Sequence, residues 1–146
     1  MNLSPHFTLA ELTRSETALR RGIDNSASAS IVEKLRHTAG GLERVRALLG
    51  APLHVNSAYR GPNVNAAVGG SSTSQHTKGE AADFVAPSFG SPLDICRAII
   101  ASDIEFDQLI YEGSWVHISF VADRAQRQMV LTAHFAGGKV TYTPGI

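Results

Sequence analysis

The spacing of apolar residues changes at Pro52, and this change limits the chain to folds in which helices precede a sheet. From Ile31 to Leu49, apolar residues recur at helical spacing, which is typical of the buried face of a helix. After Pro52, Leu53 and Val55 alternate with polar neighbours, which is typical of a half-buried strand. The helices come first, and short turns connect the strands that follow. This order predicts an α+β fold with N-terminal helices and a small antiparallel sheet.

Two short runs carry the signal for the start of a helix. Thr8–Glu11 and Ser30–Glu33 each fit a capping box, in which a hydroxyl and a carboxylate bond to backbone amides that lack a helical partner. We therefore expect residues 22–30 to form a loop and residues 1–50 to form a helical N-terminal region. The pair Gly40-Gly41 predicts a kink or a weak point in the longer helix, because glycine disfavours helix interiors.

The remaining residues, 51–146, are expected to form the sheet-bearing core of a single domain that spans residues 1–146. Residues 61–80 are rich in Gly, Ser, Thr and Asn and predict a long loop, which in a compact domain is usually functional or disordered. The other predicted elements are a strand at 81–85, a helix from Ser91 to about Ser102, a hairpin over 106–121 and a second hairpin over 129–143.

Composition argues against several classes of function. Thirteen Lys and Arg residues balance thirteen Asp and Glu residues, so the chain lacks the basic excess of a typical nucleic-acid-binding protein. No apolar run approaches the roughly 20 residues of a membrane-spanning helix, and residues 1–21 lack the pattern of a signal peptide. The single cysteine, Cys96, rules out an intramolecular disulfide and is expected to be a small buried residue. We expect a monomer that has no membrane-spanning segment and does not bind nucleic acid.

Three residues form the strongest candidate site: His76, Asp83 and His117. Alternation along the strand predicted at 115–121 turns His117 away from the apolar residues that face the core, so it can converge with Asp83 across the sheet. Two imidazoles and a carboxylate, with a fourth position left to water, form the ligand set of a catalytic zinc site. The spacing by itself leaves other roles open, since His76 could be solvated, Asp83 could cap a turn and His117 could be a core histidine.

A longer pattern surrounds these three residues. It consists of Ser57-Ala-Tyr-Arg-Gly-Pro, then Asn65, Val68-Gly-Gly and Ser74-Gln-His-x-x-Gly-x-Ala-Ala-Asp83, followed by Trp115-Val-His117. This pattern resembles the M15 family of zinc peptidases, which are D-alanyl-D-alanine carboxypeptidases, dipeptidases and phage endolysins that cut peptidoglycan stem peptides. Together with the run Leu3–Leu12, it looks like the short phage and prophage branch of that family. The resemblance implies the hedgehog/DD-peptidase fold, with a zinc site on the antiparallel sheet in a core formed by residues 51–146.

The resemblance also implies roles for single residues. His76, Asp83 and His117 would bind one zinc ion per chain. Arg60 would bind a carboxylate or carbonyl of the substrate near the scissile bond and support catalysis there, which suits the rigid fork of a guanidinium. Other residues are expected either to contact substrate or to support and pack against those that do; they are Ser74, Gln75, Tyr59 and Trp115.

The general base is the point at which this sequence departs from the family pattern. Many members carry an acidic residue three positions before the last ligand, where this chain has Ser114. Glu112, five positions before His117, is the preferred candidate if the hairpin turn brings it over the attacking water, as in the related hedgehog domain, whose acid also lies farther upstream. A solvated turn residue is the alternative role for Glu112, and Asp107 is a less favoured candidate base.

The function implied by the resemblance is zinc-dependent hydrolysis of peptide bonds in peptidoglycan stem peptides by an endolysin-type endopeptidase. Two alternatives stay open: a D-Ala-D-Ala carboxypeptidase with the same site, and an inactive zinc fold that serves binding or assembly. We expect the protein to be made in the cytoplasm of a bacterial host and to act on the cell wall after release.

Overall fold

The structure is a computed structural model that describes all residues from Met1 to Ile146. Five α-helices and eight β-strands are joined by short connections, with one 3-10 helix at Gln75–Lys78. The helices are α1 (Leu9–Thr13), α2 (Glu16–Arg21), α3 (Ala29–Leu49), α4 (Pro62–Ala67) and α5 (Pro92–Ile100). The strands are β1 (Asn2–Ser4), β2 (Phe7–Thr8), β3 (His54–Ser57), β4 (Ala81–Val85), β5 (Gln108–Tyr111), β6 (Val116–Ser119), β7 (Met129–Ala136) and β8 (Lys139–Pro144).

The strands from β3 to β8 form one sheet in the order β3-β4-β6-β5-β7-β8, while β1 and β2 pair with each other. The predicted α+β class is confirmed, and so are both hairpins, since β5 pairs antiparallel with β6 and β7 pairs antiparallel with β8. The sheet is mixed rather than wholly antiparallel, because β7 runs parallel to β5. After β6 the chain crosses over to the edge of β5 that β6 does not occupy. There β7 pairs with β5 and runs in the same direction.

The hydrophobic core is shared by the helices and the central strands of the sheet. Phe84, Leu109 and Ile118 contribute fully buried side chains from β4, β5 and β6. Leu42 of α3 and Ile99 of α5 belong to the same cluster and are also fully buried. Because strand side chains alternate between faces, the residues between these core positions point to the opposite face of the sheet. That opposite face carries the candidate site.

Several local expectations differ from the structure. Residues 1–50 are not wholly helical, since they begin with the paired strands β1 and β2. Helix α3 begins at Ala29, because Ser28 rather than Ser30 caps it and accepts a hydrogen bond from the amide of Ile31. Residues 61–80 are not one structureless loop, since they contain α4 and the 3-10 helix. Pro62 occupies the first turn of α4, a position that needs no amide donor and suits the fixed φ of proline.

Helix α3 is a single helix from Ala29 to Leu49, so Gly40 and Gly41 do not interrupt it. Gly41 is buried where α3 packs on the ring of Phe120, and a Cβ atom at Gly41 would overlap that ring. A Cβ atom at Gly40 would meet no other atom within 4 Å. The close approach of α3 to the sheet therefore requires glycine at position 41 but not at position 40.

We expect Gly41→Ala to lower the free energy of unfolding by about 1–2 kcal/mol, because overpacking against Phe120 outweighs the better helix propensity of alanine. The matched variant Gly40→Ala should raise the free energy of unfolding by about 0.5–1 kcal/mol, since it gains the propensity without a clash. Urea unfolding of both variants measures the difference. Equal stability of the two would contradict the proposed contact between α3 and Phe120.

Cys96 lies fully buried in α5, and burial raises the pKa of its thiol to about 12. The prediction of a small buried residue is confirmed. None of the helices combines the length and the apolar character that crossing a membrane demands.

Candidate functional site

Three segments of the chain bring His76, Asp83 and His117 together. Asp83 and His117 are direct partners in the antiparallel register of β4 and β6, so their side chains leave the same face of the sheet. His76 comes from the 3-10 helix, after which Gly79 adopts a left-handed φ of +74° and leads the chain into β4. Glycine adopts this conformation without the strain that a side chain would cause, which explains its place between His76 and Asp83.

The spacing of the three side chains fits a metal ion. Their ligand atoms all lie within 4.8 Å of one another. Asp83 Oδ1 lies 3.3 Å from His76 Nε2 and 3.0 Å from His117 Nδ1. Ligand atoms arranged tetrahedrally at about 2.0–2.1 Å from a zinc ion are about 3.3 Å apart. The cluster could therefore hold a metal ion with little rearrangement.

Neighbouring groups keep the ligand atoms in the form that binds a metal. His76 Nδ1 donates a hydrogen bond to the backbone carbonyl of Ala58 at 2.7 Å, which leaves Nε2 as the unprotonated nitrogen that faces Asp83. Burial by itself would raise the pKa of Asp83, but the adjacent His76 and His117 outweigh burial and hold that pKa below its ordinary value. Asp83 is thus a carboxylate, as a metal ligand must be.

The cluster opens into a cleft with a volume of about 770 Å³. Five residues predicted to act at the site, Arg60, Ser74, Gln75, Glu112 and Trp115, all line this cleft together with the three cluster residues. The other lining residues are Gly69, Gly70, Ser71, Thr73, Gln108, Ile110, Arg127, Leu131, Val140 and Tyr142. A cluster that could hold a metal ion, a carboxylate and a guanidinium thus share one open space, an arrangement suited to metal-assisted hydrolysis.

A family model described as peptidase M15 matches residues 5–119, which include the whole cluster. The chain belongs to the peptidase M15 family. The resemblance of its motifs is thereby confirmed, and family membership makes the protein a metallopeptidase whose substrate is a peptide. Comparison with curated proteins gives no match.

Glu112 lines the cleft of this M15 peptidase although it stands five positions before His117. Gly113 adopts a φ of +78° in the turn after it, and the amide of Ser114 donates to the carbonyl of Glu112 at 2.9 Å. This tight turn leaves Ser114 exposed and outside the cleft lining, whereas the side chain of Glu112 lies inside. Trp115 Nε1 donates to Glu112 Oε2 at 2.7 Å and fixes the orientation of the carboxylate.

The surroundings of Glu112 make its carboxylate more basic. Burial raises the pKa of Glu112, and the negative charge of Asp83 raises it further. The neighbouring His117 and Arg60 and the hydrogen bond from Trp115 lower the pKa of Glu112, but the net change is upward. A carboxylate with a raised pKa is a better proton acceptor, which is the property that a general base needs.

Arg60 lies beside the metal cluster with part of its hydrogen-bonding capacity unused. Its backbone amide donates to the carbonyl of His76 at 3.0 Å, which ties the two segments together. In the side chain, Nη2 lies 3.4 Å from Ser74 Oγ, while the buried Nε has no hydrogen-bond partner. Buried polar nitrogens are seldom left without an acceptor, so Arg60 is equipped to bind an oxygen atom of a ligand.

Tyr59 is the one predicted contact residue that does not line the cleft. It is 7% exposed and belongs to the hydrophobic core, because the chain turns inward after β3 and the aromatic ring gains from burial. Its carbonyl accepts a hydrogen bond from the side chain of Asn25 at 3.1 Å. Of the two roles considered for Tyr59, the structure favours packing over substrate contact.

Asp107, the less favoured candidate base, is fully buried and does not line the cleft. Its carboxylate accepts hydrogen bonds from Arg127 Nη2 at 2.6 Å, from Arg124 Nη1 at 2.8 Å and from Gln75 Nε2 at 3.0 Å. Burial would raise the pKa of Asp107, but the hydrogen bonds from Arg127 and Arg124 outweigh burial and leave the pKa well below its usual range. A carboxylate so occupied is a poor proton acceptor, so we exclude Asp107 as the base.

We expect Asp107→Asn to lower the free energy of unfolding at pH 7 by about 3 kcal/mol, because it removes a buried carboxylate that accepts charge-assisted hydrogen bonds from two half-exposed arginines. The pKa of Asp107 is lowered in the folded state, so its stabilisation is present above about pH 4 and is lost as the pH falls further. The difference in free energy of unfolding between wild type and variant, measured with urea, should therefore decrease from pH 7 to pH 3. Asp103→Asn, which changes an exposed aspartate, is the control and should leave stability unchanged at both pH values.

The strands β7 and β8 supply cleft residues that the sequence did not reveal. Leu131 of β7 is the parallel partner of Ile110 in β5, and Ile110 is in turn the partner of His117. Tyr142 and Val140 of β8 lie on the same face, since they alternate along the strand and both line the cleft. The alternation in residues 129–143 is visible in the sequence, but the parallel pairing that brings this hairpin next to the site is not.

Proposed function

We propose that this chain is a zinc-dependent peptidase that cleaves peptide bonds within peptidoglycan stem peptides or their cross-bridges, as an endolysin does. The observation that carries the proposal is the convergence of Glu112 and Arg60 on the His-Asp-His cluster in a chain of the M15 family. Zinc is the proposed metal because two imidazoles and a carboxylate suit it and leave a position open for chemistry. The proposed place of action is the bacterial cell wall, after release from the host cytoplasm.

In the proposed mechanism, Glu112 moves the proton. A zinc ion held by the cluster would polarise the scissile carbonyl and lower the pKa of the attacking water. Glu112 accepts a proton from that water as its oxygen bonds to the carbonyl carbon. When the carbon–nitrogen bond breaks, Glu112 gives the proton to the leaving nitrogen, which regenerates the carboxylate. The hydrogen bond from Trp115 keeps the carboxylate oriented during both transfers.

Arg60 supports the reaction through its charge. Negative charge develops on the carbonyl oxygen as water adds, and a fixed guanidinium next to that oxygen stabilises it. The unpartnered Nε of Arg60 supports this role, since a substrate oxygen would give it the acceptor that the protein does not provide. Ser74 accepts a weak hydrogen bond from the same guanidinium and helps to position it.

One observation favours a second candidate function, a zinc fold that binds or assembles without hydrolysis. Ser114 stands three positions before His117, where many family members have the acidic residue that serves as base. A hydroxyl of ordinary pKa cannot take the place of a carboxylate in proton transfer. The position of Glu112 in the cleft argues against this candidate.

Mass spectrometry of purified peptidoglycan, digested with the zinc-loaded protein, tests the proposal. We expect chelator-sensitive products that arise from cleavage inside stem peptides or cross-bridges. Release of terminal D-alanine alone would instead indicate a carboxypeptidase with the same site. An absence of products, with one zinc ion bound per chain, would contradict the proposed activity and favour the binding fold.

A further inference from the structure

A second arginine, Arg127, lines the cleft and has no part in the mechanism described above. It lies between β6 and β7, and its side chain is 42% exposed. The match to the peptidase M15 family ends at residue 119, so Arg127 belongs to a segment that this match does not cover. Its position in the cleft therefore calls for a separate explanation.

Asp107 holds Arg127 in one orientation. The Nε and Nη2 atoms of Arg127 donate to the buried carboxylate at 3.0 Å and 2.6 Å, and its backbone amide donates to the same group at 3.0 Å. These contacts occupy one edge of the guanidinium, and Nη1 makes no hydrogen bond within the protein. A guanidinium that is already fixed along one edge loses little conformational entropy when its free edge binds an anion.

The charge of the cleft favours an anionic ligand. In and beside the cleft, three arginines balance three carboxylates: Arg60, Arg124 and Arg127 against Asp83, Asp107 and Glu112. A divalent ion bound to the cluster would leave the cleft with an excess of positive charge, which attracts anions. Because Arg60 lies beside the cluster and faces the reacting carbonyl in the proposed mechanism, Arg127 is the guanidinium available to another part of the substrate.

We propose that Arg127 binds a free carboxylate of the substrate peptide and makes the enzyme selective for acidic peptides over their amidated forms. This inference rests on the proposed peptidase function and adds a specificity residue to it. Asp107 is a positioning residue for Arg127. Gln75 connects the two parts of the site, because it donates to Asp107 at 3.0 Å and directly precedes the ligand His76.

The test compares three synthetic stem pentapeptides in hydrolysis by the zinc-loaded enzyme. Two carboxylates are varied: the α-carboxylate of the γ-linked D-glutamate and the C-terminal carboxylate. The first peptide carries both free, the second is amidated at the D-glutamate, and the third is amidated at the C-terminus. We expect amidation of one carboxylate to lower kcat/KM of the wild type by about 10- to 100-fold, mainly through KM, because a charge-assisted hydrogen bond is lost. Which of the two amidated peptides is affected identifies the carboxylate that Arg127 binds.

Arg124 provides a matched control. It also donates to Asp107, and its side chain is 46% exposed, but it does not line the cleft. Arg127→Gln should hydrolyse the free and the amidated peptide at similar low efficiency, whereas Arg124→Gln should keep the discrimination of the wild type. Arg127→Lys, which keeps the charge but loses the bidentate fork, should restore part of the discrimination. Thermal unfolding of all three variants shows whether each is folded.

Calorimetric binding of the same peptides to the zinc-loaded protein separates this inference from the proposed function. If hydrolysis fails but binding still depends on Arg127 and on one free carboxylate, the subsite is correct and the peptidase assignment is wrong. If the wild type hydrolyses all three peptides equally well, or if both arginine variants lose discrimination alike, Arg127 does not bind a carboxylate.

Discussion

Replacing His117 with alanine is expected to abolish stoichiometric zinc binding and to remove the stability that zinc adds to the wild type. His117 Nδ1 lies 3.0 Å from Asp83 Oδ1, and without it the cluster has only two ligands left. Zinc in proteins is held by at least three side chains in almost all sites, so the remaining pair should bind it weakly. Because metal binding is coupled to folding, the lost affinity appears directly as lost stability.

The size of the effect follows from linkage. Zinc at about a thousand times its dissociation constant stabilises a folded protein by about 4 kcal/mol, which for a chain of this length raises Tm by about 10 °C. We expect this increase in the wild type and little or none in His117→Ala. Elemental analysis after gel filtration should show one zinc ion per chain in the wild type and none in the variant.

His54→Ala is the matched control, since His54 is also a strand histidine but is exposed and lies outside the cluster. It should bind zinc and gain stability as the wild type does. One zinc ion per chain in His117→Ala would show that the cluster is not the metal site, whatever the activity of the variant.

The pairing of Asp83 with His117 could be expected from the sequence because it depends on alternation along two short strands. Both residues interrupt apolar runs, and a period of two puts each on the face away from the core. The position of His76 was harder to predict from the same rules, since it depends on a 3-10 helix and a left-handed glycine. For that residue the family motif carried the prediction.

The far wall of the cleft could not be predicted, because it depends on a long-range pairing without a local signal. The sequence indicates that β7 and β8 form a hairpin, but nothing in residues 129–143 specifies that β7 lies parallel to β5. The crossover that makes it parallel is held by Asp107, whose carbonyl accepts from the amide of Met129 at 3.0 Å and whose carboxylate binds Arg127. The sequence does not indicate that Asp107 pairs with Arg124 and Arg127, because these arginines are far from it along the chain and meet it only in the folded structure.

Glu112→Gln is expected to lower kcat for peptide hydrolysis by about 10²- to 10⁴-fold, the usual contribution of a general base. The glutamine has the same shape, and its side-chain oxygen can still accept the hydrogen bond from Trp115 Nε1, so the turn should keep its conformation. Zinc content and Tm should therefore match those of the wild type. Hydrolysis of a stem peptide and zinc content, measured on the same preparation, check both parts of the prediction.

Glu105→Gln removes the charge of an exposed glutamate outside the cleft and should retain full activity, which controls for a general effect of charge. An active Glu112→Gln variant would show that another group takes the proton. Asp107 is buried between arginines and Ser114 lies outside the cleft lining, so neither residue can substitute for Glu112 without rearrangement of the fold. The loss of activity with zinc retained would thus assign proton transfer to Glu112. It would also show that an acid five positions before His117, brought into the cleft by its turn, replaces the acid that many family members carry three positions before the last ligand.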